Sequence, residues 1–180
     1  MKRLIGLILS LCFVLLVAGC ASKPPASSGM PISVANARRT AADDVLVGVG
    51  TAKLSSAGQS RSLAATRART EISNTMNNII KNMATDYWAS SEVDPQAQLS
   101  YAENITVSLS KSELSGAVIW EEQREKDGTW WCVVHLSKGN VVKEITQAQA
   151  QARLAVPAAA SLDATARMDE MFDRAKKEGW

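Results

Sequence analysis

Apolar residues recur along the chain at three spacings, and each spacing predicts a different kind of element. An apolar run from Leu4 to Val17 follows Lys2 and Arg3. It is about fourteen residues long, short of the roughly twenty that cross about 30 Å of hydrocarbon, so it predicts the centre of an export signal and not a permanent span. From Ala21 to about Asp44 the pattern vanishes, and Pro24, Pro25 and Pro31 stand among serines and alanines with no periodic face. This predicts a flexible tether, and a stretch of about 24 such residues has a mean reach of about 25 Å.

Regular spacing begins at Val45. Val45, Val47 and Val49 alternate with Leu46, Gly48 and Gly50, which is the period of a strand, and the glycines predict close approach of another backbone. Ser55 to Gln59 reads as a turn, after which Ser60 or Ser62 is placed to cap a helix. Ala64, Ala68, Ile72, Met76, Ile79, Ile80, Met83 and Tyr87 then share one helical stripe that runs to about Trp88. At the usual rise such a helix is about 39 Å long, and the small residues at its start predict that it lies close on the glycine-bearing strand.

Further along, Ser90 to Gln98, with Asp94-Pro95, reads as a break, and Ile105, Val107 and Leu109 predict a second strand. Ala117 to Glu125 and Thr129 to Ser137 flank Asp127-Gly128, a pair suited to the positive φ of a hairpin turn. A two-residue turn there sets Trp120 opposite His135 and Arg124 opposite Trp131. Gly139 to Ala155 and Leu162 to Gly179 predict helices. In the second, Ala164, Met168, Met171, Phe172 and Ala175 share a stripe, while Glu170 with Arg174 and Asp173 with Lys177 are spaced for surface pairs. The expected fold is α+β: an antiparallel β-sheet packed by one long helix, with a C-terminal helical extension. The expected organisation is a signal over 1–19, a lipidated cysteine and tether over 20–44, the α+β domain over 45–138 and the extension over 139–180.

Leu16-Val17-Ala18-Gly19-Cys20 resembles the lipobox of bacterial lipoproteins. The resemblance implies cleavage before Cys20 and fatty acyl chains on its thiol, and each buried CH₂ adds roughly 0.8 kcal/mol, so two or three chains anchor the protein durably. Lipoproteins with an aspartate after the cysteine are commonly retained at the inner membrane. Ala21 stands there instead, which implies the outer membrane, facing the periplasm. Of the 20 lysines and arginines, Lys2 and Arg3 leave with the signal, so 18 basic side chains face 18 acidic ones. A neutral chain has no basic field for phosphate backbones, which argues against nucleic acid as a partner. Cys12 leaves with the signal and Cys20 takes lipid, so Cys132 stands alone in an apolar run, where burial as a small hydrophobe is expected.

The order Gly48-x-Gly50-x-Ala52, the alanine-rich helix, Leu114-Ser115-Gly116-Ala117-Val118, and Asp127-Gly128 followed by Trp130 to Leu136 resembles the Lpp-twenty lipoprotein family. That family is related to the amino-terminal domain of the flagellar protein FlgT and to the lipoprotein FlgP. The resemblance covers about residues 45–138 and implies a small α+β domain with a helix on an antiparallel sheet. Several family members are membrane-anchored parts of rings or disks around the flagellar motor. The resemblance brings no catalytic residues with it, and the tail after Gly139 lies outside it.

Chemistry by residue type is sparse. His135 is the only histidine and reads as a sheet residue; it lies three positions from Cys132 on a strand, so the two side chains point to opposite faces. One histidine and one buried cysteine fall short of a metal site, Gly48-x-Gly50 lacks the third glycine of a dinucleotide site, and Glu121, Glu122 and Glu125 read as a solvated edge. No catalytic residue and no cofactor is expected. Trp130 and Trp131 face opposite ways, and one of them is either covered by the tail helix or a loop, or offered with Trp120 as a candidate interface, since tryptophan is enriched at binding hot spots. The partners expected are the membrane, through the lipid anchor, and other proteins or further copies. The function expected is that of a structural or assembly lipoprotein, with the flagellar motor as a candidate location; the alternative is a small module that binds cell-wall glycan or an apolar ligand. Metabolic labelling with a fatty acid should mark the wild type and leave Cys20→Ala unmarked, and equal labelling of both would contradict lipidation.

Overall fold

The structure is a computed structural model that describes residues 29–177; the signal, Cys20 and the first part of the expected tether lie outside the described residues. The described chain is α+β, a three-stranded antiparallel sheet with helices on both faces. Among the described residues no helix is long and apolar enough to cross a membrane.

The expected tether ends earlier than Asp44. Ile32–Arg39 forms helix α1, with Val34 and Ala37 buried one turn apart and Arg38 and Arg39 in its last turn, where cations meet the negative end of the helix dipole. Strand β1, Val45–Ala52, follows as expected. Helix α2, Ala57–Asp86, carries the expected stripe: Ala64, Ala68, Ile72, Met76, Ile79, Ile80 and Met83 are buried. Its N-cap is Ser56, before either serine expected. Ser60 is buried inside the helix, where its Oγ accepts from the Leu54 N–H at 2.8 Å and donates to the Ser56 carbonyl at 2.9 Å. It ties the preceding loop to the helix instead of starting it.

The second strand expected at Ile105, Val107 and Leu109 is a helix, α3, Pro95–Lys111. Asp94-Pro95 is its start and not a break: the Asp94 carboxylate accepts from the Ala97 N–H at 3.1 Å, and Pro95 fills the first position, where its missing N–H costs nothing. Ile105 and Leu109 lie one turn apart and are buried with Tyr101 and Ala102, whereas Val107 points to solvent. Strands β2, Val118–Arg124, and β3, Trp130–Ser137, form the hairpin, and the sheet order is β1-β3-β2.

The hairpin register differs from a two-residue turn. The Gly128 N–H donates to the Glu125 carbonyl at 3.0 Å and the Glu125 N–H to the Thr129 carbonyl at 2.8 Å. The turn therefore runs over Lys126 and Asp127, with Gly128 at φ 90 as the bulge residue of a three-residue loop. Arg124 pairs with Trp130, and a second irregularity between Ile119 and Glu121 leaves Trp120 without a partner and Val118 opposite His135. The Thr129 N–H and the Lys53 ammonium hold the Asp127 carboxyl down at about 2, which keeps the turn's acceptor charged at any ordinary pH.

Helix α4, Lys138–Ala155, leaves β3 with no linker and is capped by Ser137. Residues Leu162 to Ala164 do not belong to the last helix; the Thr165 N–H and hydroxyl both turn back to Asp163, and helix α5 spans Met168–Lys177. Arg174 pairs with Asp86 of α2, and Arg167 with Glu170. The side chain of Ala175 lies outside the described ones. Val141, Ile145, Met168, Met171 and Phe172 join Leu46, Ile72, Tyr101 and Leu136 in one core, so the boundary expected after residue 138 separates nothing.

The core depends on the contact between β1 and α2. A Cβ on Gly50 would lie 2.0 Å from the Ala64 carbonyl oxygen, and one on Gly48 would lie 2.0 Å from that of Ala68. Backbone atoms cannot yield that space, so Gly50→Ala should destabilise the fold by about 3 kcal/mol. A urea midpoint equal to the wild type's would show that α2 is not seated on β1.

Candidate functional site

Residues of the sheet alternate between two covered faces. Leu46, Ala52, Cys132, Val134 and Leu136 meet the core under α2 and α3. Val47, Val133 and the buried face of α1 meet on the other side, where α1 touches all three strands. The Ser33 hydroxyl of α1 donates to Gln123 Oε1 on β2. The second face is thus closed from before the sheet in sequence, by residues expected to be tether, and not by the tail helix.

The three tryptophans expected at an interface do not form one surface. Trp130 is half-buried on the α2 side, against the core. Trp131 is half-buried on the α1 side, between Thr51 of β1 and Gln123 of β2. Trp120 alone is open, 63% exposed, and its indole stacks on the His135 imidazole with centroids 4.9 Å apart and planes 11° from parallel. Val118, 59% exposed, lies two positions before it on the same strand.

His135 and Cys132 face opposite ways, as their spacing requires. Burial pushes the Cys132 thiol up to about 11, which removes the thiolate a nucleophile would need. Burial likewise lowers the His135 pKa, and its Nε2 is enclosed with no hydrogen-bond partner among the described residues. Glu122 is tied to Arg61 at 2.7 Å, so it is a braced side chain on the hairpin and not half of an acid pair. Among the described residues no group of three or more His, Cys, Asp and Glu is placed to hold a metal ion.

The two outer edges of the sheet are unlike. Beside β1, α2 reaches over the edge: Glu71 Oε2 accepts the Val49 N–H at 2.5 Å, and Arg67 Nη1 donates to the Thr51 carbonyl at 2.6 Å. Side chains bonded to the outward backbone groups of an edge strand block its pairing with another chain. Along β2 no described side chain does this, and Val118, Ile119 and Trp120 are exposed there. Sequence pattern marked the tryptophans but gave no sign of which edge would be open, since strand order is set by the fold.

No protein-family model matches this chain, and no curated protein does.

The lowered pKa of His135 fixes the sign of one pH effect. The folded protein binds fewer protons at His135 than the unfolded chain just below the ordinary value of 6.5. Stability therefore rises with pH through that window and is fully present above it. Asp127, held at about 2, contributes stability that is lost only at far lower pH. Between pH 8 and pH 5 the wild type should lose more stability than His135→Phe in denaturant titrations; coincident profiles would contradict the lowered pKa of the half-buried imidazole.

Proposed function

We propose that the protein is a membrane-anchored assembly lipoprotein of the bacterial cell envelope, working through protein contacts along the β2 edge. The observation that carries this reading is the contrast between the edges: β1 is closed by Arg67 and Glu71, while β2 presents Val118, Ile119 and Trp120 to solvent. An unpaired edge with exposed apolar residues is a liability for a solitary protein and a template for pairing in an assembly. The stacked Trp120 indole is held in place by His135, so little ordering is left to oppose a contact made on its outer face.

The lipobox at Cys20 supplies the anchor and Ala21 supports an outer-membrane, periplasm-facing position. Confinement to a membrane plane raises the effective concentration of copies and partners, so a weak edge contact suffices. The balanced charge of the mature chain removes long-range repulsion between copies. The resemblance to the Lpp-twenty family, several of whose members build rings around the flagellar motor, supports the same role and makes the motor the first place to look. No catalytic step is assigned to the chain.

The test is a photo-crosslinking side chain introduced at Val118, and separately at the exposed Lys81, in the full lipoprotein in intact cells. Position 118 should give discrete adducts and Lys81 none, and Trp120→Ala should weaken the adducts about tenfold, as loss of a hot-spot aromatic does. Absence of adducts at 118, or equal adducts at both positions, would overturn the reading.

A further inference from the structure

The open edge borders a groove. Helix α2 lies across β1 and β3 and scarcely touches β2, which leaves a depression of about 360 Å³ floored by Ile119 and Glu122 and walled by Arg61, Ser62, Thr66 and Arg69. Thr66 and Arg69 also line a second depression of about 500 Å³, which continues between Thr70 and Ser73 of α2 and Ser110, Ser112 and Glu113. From Gly58 to Asn74 the helix flanks the groove for about 24 Å, by its rise per residue. Extended chain covers that length in about seven residues.

Three features of the groove bear on what it takes. First, the hairpin's alternation leaves backbone groups unused. The Glu125 N–H bonds inward to Thr129, so by the two-residue period the backbone groups of Gln123 and Glu121 also face β3, and the N–H and C=O of Glu122 and Arg124 face outward. Second, Arg69 is half-buried where the two depressions meet and has no carboxylate partner among the described residues, whereas the adjacent Arg61 is occupied by Glu122. Third, the far rim is held in one shape. Leu114 sits at φ 51, a left-handed conformation unusual for leucine, and the buried Glu144 fixes the loop around it by accepting from the Ser112 hydroxyl and, at 2.9 Å, from the Ser115 N–H. Strain of this kind persists only where the surroundings determine it, and a preformed rim leaves less to be ordered on binding.

We propose that this groove takes an extended, acidic polypeptide segment, which adds to β2 as a fourth strand and sets a carboxylate on Arg69. This rests on the reading of β2 as the contact edge and names what that edge receives. Backbone bonding to β2 supplies affinity irrespective of sequence, while the side chains of the added strand that point toward α2 enter the groove and supply choice. There a carboxylate gains a charge-assisted bond from Arg69. A basic segment would instead place a second cation beside Arg69.

The test uses the full mature chain in detergent and two synthetic eight-residue peptides, one alternating valine with glutamate and the other valine with lysine, with binding read from tryptophan fluorescence and confirmed by calorimetry. The acidic peptide should bind and the basic one should not. Arg69→Gln should weaken the acidic peptide roughly tenfold at an unchanged melting temperature, the loss of one charge-assisted bond. Arg124→Pro, which removes an outward N–H, should weaken it as well, and Arg67→Gln, on the closed edge, should not. Equal binding of both peptides, no binding of the acidic one, or indifference to Arg69→Gln would overturn the proposal. If adducts at position 118 persist in that event, assembly along β2 stands and strand addition fails; if the peptide binds and adducts are absent, the reverse holds.

Discussion

The rest of the molecule depends on how closely β1 approaches α2. At Gly48 and Gly50 the strand lies against the backbone of Ala68 and Ala64 with no room for a side chain on either glycine. A helix seated that low brings its flank level with the strand edge, which is why Arg67 and Glu71 can reach around to bond Thr51 and Val49. Further along the same helix, where the stripe changes from alanine to isoleucine and methionine, the gap widens. There Ile72, Met76 and Ile79 fill it together with Tyr101, Ile105 and Leu109 of α3. Small residues at one end and large ones at the other make α2 both a lid on the sheet and a spine for the helical half of the fold.

Because α2 is centred over β1 and β3, the two edges of a three-stranded sheet cannot be treated alike. One is bonded by the helix and the other is left beyond its reach. The bulge around Trp120 belongs to the same geometry. It shifts the register of β2 by one residue, so that Trp120 lies over His135 rather than in the ladder. Trp120 is held flat on the α1 side of this unpaired edge, and the groove with Arg69 lies on its α2 side.

The second face of the sheet shows how a short element settles a larger question. Helix α1 contributes little core by length, yet Val34 and Ala37 suffice to cover Val47 and Val133. With α1 on one side and α2 on the other, both faces of β1 and β3 are covered while β2 keeps Val118, Ile119 and Trp120 exposed, and the tail is free to close the helical core, where Met171 and Phe172 are buried.

Sequence alone determined the features that rest on local spacing: the alternation of β1, the stripe of α2, the hairpin around Asp127-Gly128 and the alanine-rich α4. The glycines of β1 and the alanines of α2 were legible even as a mutual contact, because only a missing side chain permits that approach. Where one segment satisfied two periods, spacing could not choose. Ile105, Val107 and Leu109 alternate, but Ile105 and Leu109 are also one helical turn apart, and Asp94-Pro95 begins a helix as readily as it ends one. Docking against α2 and α4 made the choice, and it left Val107 exposed. Pro31 and the arginines at 38 and 39 marked the ends of α1, but eight residues with two buried side chains are too short to stand without the sheet beneath them. Strand order, the bulge at Trp120, the closed and open edges and the position of Arg69 all follow from which surfaces meet at long sequence separation, and no local pattern encodes that.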